Sequence, residues 1–137
     1  MPSPNLMAAA VAQRTSQIKI GIFGNLPALH AHPVRLAEEI AMLDVMSGGR
    51  IISGFVRGVT REFFAYNVPI PDARQRLGEA WDLIVKAWTT RESFSWHGKY
   101  LVLWYLPEYK IVIISTTYAY MSRSPHVGRA SSHAQDL

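Results

Sequence analysis

The feature that most limits what this chain can fold into is an alternation that occurs twice between Ile18 and Trp88. Each time, a short apolar run is followed by a stretch whose apolar residues recur at helical spacing. "IKIGIF" (18–23) is short and β-branched, which suits a strand. From Pro33 onward, Leu36, Ala37, Ile40, Ala41 and Leu43 form one apolar stripe, with Arg35, Glu38, Glu39 and Asp44 largely off it. Ser47-Gly48-Gly49 ends that helix, because glycine adopts the left-handed cap conformation at little steric cost. "RIISGFV" (50–56) is nearly continuous apolar, as expected of a strand covered on both faces in a parallel sheet. Leu77, Ala80, Trp81, Ile84, Val85 and Trp88 then mark a further helix, with Asp72 as its candidate N-cap. Strand, helix, strand, helix in this order predicts an α/β fold built on a βαβ unit, with parallel strands and a right-handed crossover.

Outside this unit, Ser3-Pro4 reads as an N-cap followed by proline at the first helical position, opening the alanine-rich helix "NLMAAAVAQRT". "GNLPALHAHP" is a loop, and a long loop runs from the second strand to Pro69, Pro71 and Asp72. "ESFSWHGKYLVLWYL" predicts extended structure turning at Gly98, and "YKIVIISTTYAYM" a further strand. The tail from about residue 122 is polar and small-residue, the composition of a disordered end. Two parallel strands alone leave open edges and uncovered apolar faces. The chain therefore reads as a piece of a larger α/β array, able to form a homo-oligomer through those edges.

Composition narrows the function. Of 137 residues, 49% are hydrophobic, enough for a real core. There is no cysteine, which removes disulfides and thiolate metal sites and fits a reducing compartment, so a cytoplasmic location is expected. The net charge is +4, but the cations are scattered singly and no Lys/Arg cluster forms, which argues against a nucleic-acid partner. The N-terminus lacks the basic region of a signal peptide. Pro107, Glu108 and Lys110 interrupt "LVLWYLPEYKIVIISTTYAYM", leaving a weak membrane span, and no membrane partner is expected.

A family resemblance is carried by "HPVRLAEEIAMLDVMSGGRIISGFVRG" (32–58). His32-Pro33-Val34-Arg35, Ala37-Glu38, Leu43-Asp44, Ser47-x-Gly49-Arg50 and Gly54-x-x-Arg57-Gly58 stand in the order found in the luciferase-like flavin monooxygenases. "IKIGIFGNLP" resembles that family's third barrel strand, "REFFAYNVPIPDARQRLGEAWDLIVKAW" the loop and helix after its fourth, and "FSWHGKY" the start of the following insertion. The resemblance covers about residues 4 to 100. It divides the chain into a partial luciferase-like domain, 1–100, and a divergent segment, 101–137. The implied fold is part of a (β/α)₈ barrel, from about its helix 2 to its helix 4, since such a barrel needs about 250 residues. The implied activity is oxygenation of a small organic substrate with reduced FMN and O₂, the flavin coming from a flavin reductase. Some relatives use the deazaflavin F420 instead, and the sequence leaves the two open. The expected state is a truncated and inactive copy. The alternative is a non-enzymatic fragment that binds no flavin and associates through its open sheet edges.

The resemblance also assigns residues. Arg57, at the end of a buried strand, matches an arginine at the flavin phosphate, and guanidinium suits phosphate through paired hydrogen bonds. Read without the family, it is a loop arginine paired with Glu62. Arg74 matches a second phosphate-contacting arginine, with Arg76 as its rival because the register of the preceding loop is uncertain by a residue. Gly24 and Asn25 fall where the family's backbone packs against the flavin ring, often through a strained peptide, and a residue without Cβ permits close approach. Gly24 read alone is a simple turn glycine. No catalytic residue is assigned, because the family's active-site histidine has no counterpart here. His30 and His32 are spaced by two without a supporting carboxylate, so no metal is assigned; His32 is expected to cap the second helix. Phe63, Phe64 and Tyr66 are candidates for a substrate wall, or simply for a small satellite core.

Overall fold

The structure, a computed structural model, describes residues 3–104. The predicted strand within "YKIVIISTTYAYM" and the tail lie outside the described residues. The elements are α1 (Pro4–Arg14), β1 (Ile20–Asn25), a 3₁₀ turn (Pro27–Leu29), α2 (Pro33–Ser47), β2 (Ile51–Phe55), α3 (Thr60–Ala65), α4 (Ala73–Thr89), β3 (Trp96–His97) and β4 (Val102–Leu103). β1 and β2 pair in parallel, Ile20 opposite Ile51 through Phe23 opposite Gly54, with the register shifting at Gly24 so that Asn25 faces Phe55. This is the βαβ unit expected from the alternation of periods.

Local chemistry sets the helix ends. Ser3 caps α1, with Pro4 in the first turn. The His32 imidazole accepts from the Val34 N–H through Nδ1 at 3.3 Å, capping α2 as predicted. Gly48 closes α2 at φ 68°, and the Gly49 N–H returns to the Asp44 carbonyl at 2.9 Å. Asp72 does precede α4, but it does not act as the cap expected of it. Its backbone is left-handed (φ 61°) and its side chain makes no capping bond. The predicted loop after β2 contains the six-residue helix α3, where Glu62 reaches back to the Val59 N–H at 2.9 Å.

The core lies between the sheet and the helices. Leu36, Ala37 and Ile40 of α2 and Ile84 of α4 have no solvent exposure, and Ala8 and Ala12 bring α1 close against α2. Trp88 is buried, donates its indole N–H to the Ala37 carbonyl at 3.0 Å, and packs near the Phe55 ring.

Among the described residues, the sheet is covered on one face only. Ile20, Ile22, Ile51 and Ser53 are buried beneath the helices. On the other face, Phe23 is 79% exposed and its ring lies across Gly21 and Gly54, so close that a Cβ on Gly21 would overlap it. The double cover inferred from the apolar run "RIISGFV" is absent among the described residues, because none of their helices reaches that side.

Arg50 closes the amino end of the sheet. It is buried, and its guanidinium donates to the Ser47, Ile18, Ala12 and Thr15 carbonyls and the Thr15 hydroxyl, all between 2.6 and 3.1 Å. The end of α1, the entry to β1 and the end of α2 are thereby joined through one side chain. No helix among the described residues is long and apolar enough to cross a membrane.

Candidate functional site

The chain leaves β1 and β2 at the same end, and a cleft forms there. The Val56 N–H donates to the Asn25 carbonyl at 2.9 Å, so the strands stay paired one step beyond β2. Gly58 then turns at φ 92°, where a Cβ would meet the Leu26 side chain at 2.8 Å. Only glycine lets this loop close over Leu26, and that closure sets Arg57 on the rim. The cleft has a volume of about 240 Å³. Leu26 and Pro27 form one wall, Val56 and Arg57 a second, and Arg76 and Tyr100 face them. The carboxyl ends of parallel strands are where open α/β sheets and barrels place their ligands. The lining holds two arginines and no carboxylate, so it favours an anion.

The predicted residues sort into three groups. Arg57 is exposed, lines the cleft and has no charged partner among the described residues; Glu62 accepts from the Val59 N–H and makes no ion pair with Arg57. Arg74 is exposed and lies outside the cleft lining, whereas its rival Arg76 is half-buried within it. The Arg76 Nε is buried without a hydrogen-bond partner, and its guanidinium stacks 4.5 Å from the centroid of the Tyr100 ring. Gly24 sits at the register shift with φ 155°, and a Cβ there would meet nothing within 4 Å. It borders open space in a hollow that β1 shares with α1, outside the cleft lining. Asn25 is buried, and its amide donates to the Ser53 hydroxyl at 2.7 Å, under the helices and away from that space. His30 lines the cleft, and His32 is held by its capping bond with Nε2 3.3 Å from the Val102 carbonyl. No group of three His, Cys, Asp or Glu suited to a metal occurs among the described residues.

Sequence reasoning missed Glu79. Its carboxylate accepts from the backbone N–H groups of Tyr100 (2.9 Å) and Leu101 (2.8 Å) and from the Trp96 indole N–H (3.3 Å), and so docks the β3–β4 hairpin on α4. At the turn, a Cβ on Gly98 would overlap that carboxylate, so a larger residue there would have to displace it. The "WHGKY" turn was a visible signal, but three residues after Arg76 on a helix, Glu79 looks like an ordinary ion-pair partner. Burial opposes its ionisation, yet donation from Tyr100, Trp96, Leu101 and Lys99 outweighs burial and holds the carboxyl below its ordinary value near 4.5. Since the folded carboxyl ionises more readily than the unfolded one, the hairpin's docking is complete above about pH 4.5 and is lost as the pH falls through the lowered value. Tryptophan fluorescence is expected to report this acid transition, and Glu79→Gln to remove it. An identical transition in the variant would rule Glu79 out as its origin.

The family model for luciferase-like monooxygenases matches residues 1–123. The chain belongs to the luciferase-like monooxygenase family. The match runs past Leu101, where the resemblance read from the residues was expected to stop. The chain is 33% identical over 110 residues to the oxygenase component of the flavin-dependent trigonelline monooxygenase of Acinetobacter baylyi, covering 78% of this chain and 29% of that protein. It is 35% identical over 83 residues to limonene 1,2-monooxygenase of Rhodococcus erythropolis, covering 60% and 21%. Among solved structures, the oxygenating constituent of 3,6-diketocamphane monooxygenase of Pseudomonas putida, in complex with FMN, superposes with a TM-score of 0.68 at 28% identity, covering 79% of this chain and 30% of that one. Monooxygenase RslO1 of Streptomyces bottropensis gives 0.69 at 32% identity, covering 74% and 31%. The chain thus spans between about a fifth and a third of the length of these luciferase-like relatives.

Proposed function

We propose that this chain is the part of a luciferase-like (β/α)₈ barrel that grips the flavin phosphate, in an enzyme oxygenating a small organic substrate with reduced FMN and O₂. The observation that carries the reading is the cleft at the carboxyl ends of β1 and β2, with Arg57 and Arg76 in its lining and no acid. The residues present suit FMN. Two guanidiniums match the phosphate charge, and the buried, unpartnered Nε of Arg76 lacks the acceptor that a phosphate oxygen would supply. Gly24, with open space where a Cβ would stand, leaves room for a planar ring. Between the two helix-start arginines, Arg76 is favoured over Arg74 because it lines the cleft. Asn25 is assigned to holding the bulge through Ser53 rather than to touching flavin with its side chain.

FMN is favoured over F420 because a solved relative is described in complex with FMN. When bound, reduced flavin supplies the electrons that, together with O₂, oxygenate the substrate. The work of this chain's own residues is to hold the phosphate and to leave the ring's approach unobstructed. A separate flavin reductase fits this scheme, given a relative named as an oxygenase component. Turnover is assigned to the lineage and binding to this segment. The second reading, a fragment that associates through its sheet edges, draws on the 79% exposure of Phe23 on an uncovered face. It predicts a mass that rises with concentration in sedimentation.

Flavin and tryptophan fluorescence during titration with oxidised and then reduced FMN tests the binding proposal. Saturable binding is expected, weakened about ten-fold by Arg57→Ala, as for loss of one charge-assisted contact at a partly exposed site. Binding that is absent, or unaffected by the substitution, would remove the phosphate role.

A further inference from the structure

Resting on the flavin reading above, we infer that the β3–β4 hairpin is part of the anion site, with Tyr100 as a third phosphate-contacting residue and Glu79 as the residue that positions it.

Three observations converge on this. First, the Tyr100 hydroxyl is buried beside the Lys99 ammonium, and the ring lines the cleft beside Arg76. An ammonium can only donate to the phenol oxygen, so the phenol's own O–H finds no acceptor among the described residues and is suited to donate to a ligand in an anion-favouring cleft. Second, Arg76 stacks at 4.5 Å on the Tyr100 ring and Lys99 lies 4.8 Å from the same ring centroid; Asp72 acts on Lys99, while Arg76 has no ion pair among the described residues. The ring fixes the guanidinium plane, which improves its aim at a tetrahedral anion. Third, Glu79, the acid placed to pair with Arg76 one helical turn away, is turned instead to the Tyr100 and Leu101 N–H groups. One carboxylate thus carries the tyrosine to the cleft and leaves the arginine without a competing partner. Taken together, Arg57 from the strand end, Arg76 from α4 and Tyr100 from the hairpin surround the cleft from three elements, an arrangement for a phosphate monoester rather than for a neutral ligand.

The experiment compares FMN with riboflavin, which lacks the phosphate, in titrations of the full chain and of Tyr100→Phe and Tyr100→Leu. In parallel, inorganic phosphate is followed on the Arg76 Nε–H resonance. Tyr100→Phe keeps the stacking ring and the backbone N–H groups that bind Glu79, so near-ultraviolet circular dichroism should show the hairpin still docked. The expected result is a preference of the wild type for FMN that drops about ten-fold in Tyr100→Phe and further in Tyr100→Leu, with riboflavin affinity unchanged. An unchanged preference in Tyr100→Phe would overturn the role of Tyr100 while leaving the flavin reading intact. Phosphate that shifts the Arg76 resonance only when the tyrosine hydroxyl is present, without FMN binding, would support Tyr100 and sink the flavin reading. Failure of both FMN and phosphate to bind the wild type would overturn both.

Discussion

Replacing Arg50 by alanine is expected to lower stability by about 3–5 kcal/mol, a large share of the roughly 5–15 kcal/mol that holds a domain folded. Its guanidinium is nine-tenths buried and satisfies four carbonyls and a hydroxyl from three separate segments. Alanine would leave those acceptors without donors inside the protein, and hydrogen bonds to a charged group are each worth more than neutral ones. Arg50→Lys is the informative companion. An ammonium keeps the charge but cannot span acceptors arranged around a planar fork, so it should recover less than half of the loss. Urea unfolding followed by far-ultraviolet circular dichroism checks both. A midpoint for Arg50→Ala close to that of the wild type would mean that water replaces the guanidinium without penalty, and the account of this end of the sheet would fail.

The second large effect belongs to Trp88. Trp88→Ala removes a buried indole from between α2 and β2, together with its contact to Phe55 and its hydrogen bond to the Ala37 carbonyl. Large-to-small changes of this kind cost about 3–5 kcal/mol, the lost transfer energy plus the cavity left behind. Trp88→Phe should lose much less, because ring packing persists and the Ala37 carbonyl keeps its acceptor role within α2. The ratio of the two losses separates packing from hydrogen bonding. Equal losses would show that the indole N–H, rather than the volume, is what matters.

Much of the fold was readable because its signals are local. The stripe from Leu36 to Leu43, the Ser47-Gly48-Gly49 stop and the His32 cap each arise within a few residues, and the structure places all three as expected. The switch between helical and strand periods was enough to give parallel pairing of β1 and β2. What was missed depends on partners distant in sequence. Asp72 has the right side chain for a cap, but the left-handed backbone there turns it away. Helix α3 spans only six residues, too short for its period to be seen against the Phe63-Phe64 pair. The apolar run of β2 implied cover on both faces, but hydrophobicity alone does not say which neighbour supplies it. At the site, Arg57 at a strand end was legible, as was the doubt between Arg74 and Arg76. The diversion of Glu79 to the hairpin was not, because it rests on N–H groups about twenty residues further on.

Arg50 and Arg57 stand at opposite ends of the same strand, roughly 20 Å apart at the rise of extended chain. One arginine faces inward to carbonyls and the other outward to the cleft, and sites this far apart without shared partners act additively. The segment therefore has a fixed end and a variable end. Exposed positions of the stretch between Arg57 and Asp72, such as Arg61, Phe64 and Tyr66, can be rewritten, as a library or over evolutionary time, at little cost to the melting temperature, provided Gly58 and the buried Phe63 are kept.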